Sequence, residues 1–180
     1  MACDLSAGRL IPCKDVVGGL DAVYFINYDD VTGYTYDVTN TDVIETITGG
    51  GTINAYKYDL KGDSSFEQTI TSDRNNGTTM IEQTLNLMLT KQDLATHKQV
   101  KLLTFGRPRV IIKDRNGNYF VCGLDWGAEV TGGAIASGAA MGDKSGYSIT
   151  LVAQEKIAAN FMEATDDAGL ATAGLTVVTG

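Results

Sequence analysis

Residues 64–90 read SSFEQTITSDRNNGTTMIEQTLNLMLT, and this stretch predicts a long antiparallel β-hairpin. Polar and apolar residues alternate in 64–73 and again in 80–90, which is the period of a strand with one buried face. The Asn-Asn-Gly between the two runs is typical of a tight turn. The chain is therefore expected to be built on an antiparallel β-sheet with one apolar and one polar face.

The alternation assigns each side chain of this hairpin to one of the two faces. The apolar face takes Phe66, Gln68, Ile70, Ile81, Gln83, Leu85, Leu87 and Leu89. The opposite, mostly polar face contains Glu67, Thr69, Thr71, Glu82, Thr84, Asn86 and Met88.

Short strands and glycine turns account for most of the remaining sequence, which is rich in Thr, Tyr, Val and Ile. In RPRVIIKDRNGNYFVCGLDW, two β-rich runs flank Asn116-Gly117, which predicts a hairpin with a type I′ turn. Further strands are predicted at 21–30, 33–39, 41–62 (two strands around a turn at 49–51), 146–157 and 175–178.

One helix is expected over residues 91–105. Thr90 is the predicted N-cap, and Asp93 stands three residues later, near a capping box. Gly106 is a natural stop. An apolar stripe for packing is formed by Leu94, Ala95, Leu102 and Phe105.

These elements predict a mainly-β fold: an antiparallel β-sandwich or small barrel with one α-helix and long extended loops. The 180 residues suit a single domain over 1–180. Two segments are expected to be extended, the N-terminal segment 1–20 and a glycine-rich loop over 131–146.

Composition excludes several classes of protein. The formal net charge of −8 argues against wrapping nucleic acid, which needs a basic footprint. No run of about 18 apolar residues is present, so no membrane span is predicted. The start MACDLSAGRLIPCKD lacks the apolar core of a signal peptide. The sparse cysteines Cys3, Cys13 and Cys122 fit a reducing compartment.

Catalytic chemistry is not indicated, and no catalytic residue, metal site or cofactor is predicted. His97 is the only histidine, and it is expected to be an ordinary helix residue. The cysteines are too isolated for tetrahedral zinc. The acidic pairs Asp29/Asp30 and Asp166/Asp167 are interpreted as turn residues rather than as ligands for a hard cation.

The segment VTGGAIASGAAMGDKSGY (130–147) is made mostly of small residues. It does not match a phosphate-binding loop, because Asp143 interrupts the required Gly-Lys-Ser order and a strand follows instead of a helix. Two interpretations stay open: an idle loop, or an arm that orders against a neighbouring subunit. The residues of the candidate arm are Gly132, Gly133, Ile135, Gly138, Met141 and Gly142.

The paired runs 64–72 and 79–89, the helix 91–105, the hairpin 108–124 and the strand 146–156 together resemble the tail tube proteins of tailed bacteriophages. The tube proteins of contractile injection systems share this design. The opening, MACDLSAGRLIPCKDVVGGLDAVYFIN, also looks like the start of structural proteins in phages of gut Bacteroidetes.

The resemblance implies a virion structural protein that acts as a homo-oligomer. Such subunits join their sheets into a hexameric ring around a lumen, and the rings stack into a tube for DNA ejection. Other tail proteins would be partners, in a virion assembled in the host cytoplasm. DNA would pass without specific binding along the candidate lumen lining, which is Glu67, Thr69, Thr71, Glu82, Thr84 and Asn86.

Other interpretations remain open at this stage. The polar face of the hairpin is equally expected on the solvent side of a monomeric sheet. A neck ring, head-completion protein or capsid decoration protein would use a similar sandwich. A carbohydrate- or ligand-binding β-domain would instead use exposed aromatic residues for stacking. The candidates for that role are Tyr34, Tyr36, Tyr56, Tyr58 and Trp126.

Overall fold

The computed structural model describes residues 7–10 and 13–180, and it has the mainly-β fold that the sequence predicts, with one main helix. In chain order, the elements are β1 Leu20–Ile26, β2 Gly33–Tyr36, β3 Val43–Thr48, β4 Ile53–Asp59, β5 Ser65–Asp73, β6 Thr78–Thr90, α1 Leu94–Phe105, β7 Arg109–Asp114, β8 Tyr119–Cys122, β9 Glu129–Ala136, β10 Gly146–Glu155, β11 Asn160–Met162, α2 Asp167–Thr172 and β12 Leu175–Val178.

The strands form two sheets. The larger sheet has eight strands in the order β12-β4-β1-β7-β8-β11-β3-β2. The smaller sheet has four, in the order β5-β6-β10-β9, and all its pairs are antiparallel. Two pairs in the larger sheet, β11 with β3 and β12 with β4, are parallel. The expectation of uniformly antiparallel pairing is therefore wrong at these two places.

Two hydrophobic cores share the larger sheet. Val23 and Phe25 of β1 belong to the core between the two sheets, together with Leu85, Leu87 and other residues of the small sheet. Tyr24 and Ile26 point the other way, into a second core on the opposite face of the larger sheet. Burial on both faces explains why β1 is a continuous apolar run rather than an alternating one.

The hairpin of β5 and β6 has the faces that the alternation predicts. Glu67 lies opposite Thr84, and Thr69 lies opposite Glu82. On β6, the residues on the core side are buried and their neighbours are more exposed. The core side includes Gln83, which is 1% exposed and accepts a hydrogen bond from the backbone N–H of Gly123 at 3.0 Å.

The helix begins three residues later than predicted. Asp93, not Thr90, is the N-cap, and its carboxylate accepts a hydrogen bond from the backbone N–H of Thr96 at 2.8 Å. The predicted apolar stripe is wrong, because Leu94 and Phe105 are about nine-tenths exposed. Val100, on the other side of the helix, is the buried residue.

Two predicted turns differ in detail. β3 and β4 do not form a hairpin; β3 pairs with β2 and β11, whereas β4 pairs with β1 and β12. The hairpin of β7 and β8 is present, but its turn is not type I′, because Gly117 has a positive φ and Asn116 does not. Instead, the Asp114 carboxylate accepts hydrogen bonds from the N–H groups of Asn116 and Asn118.

The N-terminal segment is extended and exposed where the structure describes it. Residues 1–6 and 11–12 of the predicted segment 1–20 lie outside the described residues. Val17 exchanges two hydrogen bonds with the side chain of Asn116, which anchors the segment to the turn between β7 and β8. Leu20 then starts β1 and is buried.

Candidate functional site

The four-stranded sheet is an open sheet with two long free edges. β5 and β9 each have one neighbouring strand, and they are nine and eight residues long. The edge strands of the larger sheet, β2 and β12, have only four residues each. Short edges limit unwanted strand pairing, whereas long exposed edges are templates for it. Within residues 7–10 and 13–180, the long edges without a second strand neighbour are therefore β5 and β9.

These two edges carry few of the features that usually block strand addition. Neither β5 (SFEQTITSD) nor β9 (EVTGGAIA) contains lysine or proline. β9 has one bulge, opposite the step from Thr150 to Leu151, and pairs regularly from Gly132 to Ala136. Bulges and charged residues are the common devices against edge-to-edge pairing. Here they are limited to the β9 bulge and to the acidic residues Glu67, Asp73 and Glu129.

The outer face of this sheet is polar, and its charges are negative. None of its four strands contains Lys or Arg. The pairing places Glu82 beside Gln154 of β10, and Glu129 beside Val152. Asn86 accepts a hydrogen bond from the Thr150 hydroxyl at 2.9 Å. A surface without cations forms no ion pair with phosphate, which is the main source of affinity for the DNA backbone.

All six residues predicted as lumen lining lie on this outer face. Glu67, Thr69 and Thr71 are exposed on β5, and the β6 residues Glu82, Thr84 and Asn86 lie on the same side. Reasoning from the sequence missed the contribution of β9 and β10, because it did not pair these strands with the hairpin. The additional residues on this face are Glu129, Ser148, Thr150 and Gln154.

The first part of the predicted glycine-rich loop 131–146 is a strand. Gly132, Gly133 and Ile135 belong to β9 and pair with β10, so the loop shrinks to residues 137–145. Glycine and alanine have low β propensity, which hid the strand in the sequence. At Gly133 a Cβ would lie 2.5 Å from the carbonyl oxygen of Ser148, so this strand needs glycine for close backbone approach.

The remaining loop is held by its own hydrogen bonds. The Asp143 carboxylate accepts from the N–H groups of Ala139 and Ala140, at 2.9 and 2.7 Å, which lowers the pKa of Asp143. Lys144 forms an ion pair with Asp63. Gly138 has a positive φ of 76°, and Met141 is fully exposed. Gly142 has open space around its Cα. The loop is a compact turn that displays one apolar side chain, rather than a long arm.

Buried polar groups fix the loop that leads into β9. Glu155, 4% exposed at the end of β10, accepts hydrogen bonds from the N–H groups of Asp125 and Trp126 at 3.0 and 3.1 Å. Burial raises the pKa of Glu155. Arg109 donates to the carbonyl oxygen of Leu124 at 2.7 Å. These bonds set the position at which β9 starts, and they satisfy groups that would be costly to bury alone.

Groups with possible catalytic or metal-binding chemistry are not brought together. His97 is half-buried on α1, 6.1 Å from the ring of Tyr147. Burial raises the pKa of the Cys122 thiol to about 12, which keeps it unreactive. Asp166 caps α2, and Asp167 binds Tyr24 and Lys57. The part of the chain that the structure describes has no cluster of three His, Cys, Asp or Glu side chains suited to a metal ion.

The aromatic residues proposed for carbohydrate stacking do not share one platform. Tyr34 and Tyr36 pack edge to face on β2, and the Tyr34 hydroxyl donates to Asp125. Tyr58 packs on Phe25 in the core between the sheets. Tyr56 and Trp126 are partly exposed on separate elements, and the ring of Trp126 lies under Lys156. The arrangement offers no continuous stacking surface of these five side chains.

No protein family model, curated protein or solved structure matches this chain. Within residues 7–10 and 13–180, no helix has the length and apolar character needed to cross a bilayer.

Proposed function

We propose that this protein assembles head to tail into a ring through the β5 and β9 edges, and that stacked rings form a virion tail tube through which DNA passes. The observation that carries the proposal is the pair of long free edges on a sheet whose outer face bears only negative charges. Closing the sheet into a barrel removes both edges at once.

The order of strands supports closure. β5, β6, β10 and β9 alternate in direction, so the two edge strands run in opposite directions. In a ring whose rotation axis runs roughly parallel to the strands, β9 of one copy meets β5 of the next copy in antiparallel orientation. Every pair of strands around the barrel is then antiparallel. A heterologous contact of this kind produces a closed ring when the rotation between neighbouring copies divides a full turn evenly.

The size of such a barrel is compatible with a DNA conduit. Six sheets of four strands, spaced at about 4.8 Å, close a barrel roughly 37 Å across between backbones before strand tilt widens it. That is wider than a B-form duplex. The hexamer is the ring size that the tail tube resemblance implies, and the four-stranded sheet fits it.

Electrostatics favour the outer face of the small sheet as the lumen wall. Glu67, Glu82 and Glu129 would repel the DNA backbone, and the threonine and asparagine side chains around them carry no charge. A duplex that meets no cation along the wall is not trapped by counterion release. Such a wall would let DNA pass through the lumen without binding it specifically.

Stacking of rings is assigned to the ends of the strands. The loop 137–145 joins β9 to β10 and lies at one end of the small sheet, while the turn 74–77 lies at the other. With the strands near the ring axis, these segments face the rings above and below. Met141 at the loop is the exposed apolar anchor for that contact.

The ring contact is tested with a charged residue on the β5 edge. Ile70 is 69% exposed on β5, so lysine there is expected to leave the fold intact and block strand addition. The matched control is Val38→Lys, in an exposed position outside both sheets. In sedimentation velocity, Val38→Lys should assemble like wild type while Ile70→Lys stays monomeric. Equal assembly of the two variants would count against the β5 edge as the contact.

A further inference from the structure

A groove runs along the β9 edge, on the side of the small sheet that faces the helix. It has a volume of about 350 Å³ and lies between α1 and β9. Val100 and Thr104 of α1 form one wall, and Val130, Gly133 and Ile135 of β9 form the other. Among the residues that the structure describes, no charged side chain lines this edge groove. An uncharged, partly apolar groove beside a free strand edge fits an apolar projection.

Such a projection lies beside the opposite edge of the same sheet. The rings of Phe66 on β5, Phe120 on β8 and Phe161 on β11 form a row, with centroid distances of 6.3 and 4.7 Å. Only the first of these rings belongs to the small sheet, and the other two come from the larger sheet. Phe161, at the outer end of this aromatic row, is 46% exposed. Gln68 on β5 accepts a hydrogen bond from the N–H of Ala159 at 2.7 Å, which holds the row against the β5 edge. The row is therefore a fixed feature of that edge.

Phe66, the member of the aromatic row that lies on β5, is at the same height along the strands as one end of the groove. Phe66 on β5 is opposite Leu85 on β6, Leu85 is opposite Leu151 on β10, and Leu151 is opposite Val130 on β9. Val130 is one end of the edge groove, which continues to Ile135. Neighbouring strands in a barrel are staggered along the barrel axis. The groove is long enough to accept the aromatic row of the next copy after such a shift.

We propose that Phe161 and the aromatic row of one copy seat in the edge groove of the next copy around the ring. The inference rests on the proposed head-to-tail contact, and it names a second layer of that contact outside the barrel wall. Strand hydrogen bonds alone specify direction poorly, since any free edge can accept another. Because one edge has a projection and the other has a groove, β5 pairs preferentially with β9, and pairing of two like edges is disfavoured.

Cross-linking tests which residues meet. In a Cys3→Ser, Cys13→Ser background, Ala158→Cys marks the aromatic row and Thr104→Cys marks the groove. Treated with a short bismaleimide at assembling concentration, the double variant should give a ladder of covalent multimers on a denaturing gel, while each single variant stays monomeric. If rings form but no ladder appears, the assignment of the groove is wrong, while the proposal of a ring is unaffected. Covalent dimers of Ala158→Cys alone would show that like edges meet, which overturns it as well.

Truncation of the anchor provides a second, independent measurement. Phe161→Ala is expected to raise the concentration at half-assembly by tenfold or more, whereas Phe105→Ala, at an exposed α1 position outside the edge groove, should leave it unchanged. Circular dichroism confirms that both variants fold. Equal assembly of the two variants would refute the docking of Phe161. A wild-type protein that stays monomeric at every concentration would refute both the docking and the ring.

Discussion

The side-chain oxygen of Gln83 accepts a hydrogen bond from the backbone N–H of Gly123 at 3.0 Å, and this bond joins the small sheet to the segment that follows β8. Both groups are buried between the sheets. The sequence already placed Gln83 on the apolar face of the hairpin, where a polar residue looked out of place. Its role is to satisfy a backbone donor that would otherwise be buried without a partner.

Replacing this glutamine should destabilise the fold. Gln83→Leu leaves the Gly123 N–H unsatisfied, which is expected to lower the free energy of unfolding by about 1–3 kcal/mol. The control is Thr84→Val, the next residue on β6, which lies on the outer face and should change stability by less than about 0.5 kcal/mol. Urea unfolding of monomeric protein measures both. Equal stability of the two variants would show that the Gln83 bond contributes nothing.

A second prediction concerns acid stability. The Asp167 carboxylate accepts hydrogen bonds from the Tyr24 hydroxyl at 2.6 Å and from Lys57 Nζ at 2.9 Å. The Tyr24 bond, and after it the Lys57 bond, lower the pKa of Asp167 in the folded state. Because the folded pKa is depressed, its contribution to stability is complete above the unfolded pKa of about 3.9 and disappears as the pH falls through the folded pKa.

Asp167→Asn should therefore cost stability at neutral pH and not at low pH. Because the Asp167 side chain is 41% exposed, we expect a modest loss of about 1–2 kcal/mol at pH 7. The difference from wild type should begin to shrink near pH 4, where the carboxylate of the unfolded chain becomes protonated, and should vanish once the pH is below the lower pKa of the folded state. Thermal unfolding over a pH series gives this comparison. A difference that persists unchanged in acid would rule out the charge of Asp167 as its cause.

The charge of the outer face gives a third prediction. In assembled particles, Glu82→Lys, on the interior strand β6, should leave assembly intact and make the lumen retain duplex DNA, because a lysine on the wall binds phosphate. The control, Glu45→Lys, makes the same change in net charge at an exposed position on the larger sheet. Co-sedimentation with linear duplex at about 0.15 M salt compares them. Equal retention by both variants would show that the outer face does not line the lumen.

Local alternation predicted the hairpin well and the rest of the small sheet poorly. The faces of β5 and β6 follow from period-2 patterns, which depend on neighbouring residues alone. β9 was hidden because its glycines form a strand only through pairing with β10, with a backbone approach at Gly133 that excludes any side chain. Such pairing joins distant segments, and no local pattern reports it.

The helix and the larger sheet show the same limit. Asp93 caps α1, although Thr90 is an equally good cap by residue type, because the β6 strand extends through Thr90 and delays the helix. The apolar stripe through Leu94 and Phe105 was wrong because the body of the molecule packs on the side of Val100. The insertion of β11 between β8 and β3, by pairing across most of the chain, could not be anticipated from sequence.

The most direct test of the ring is electron microscopy of the purified protein at increasing concentration. The account predicts closed rings with a central lumen, and at the highest concentrations stacks of rings, with the four-stranded sheets continuous around the inner wall. Particles that remain monomeric at all concentrations, or dimers joined through two like edges, would contradict it.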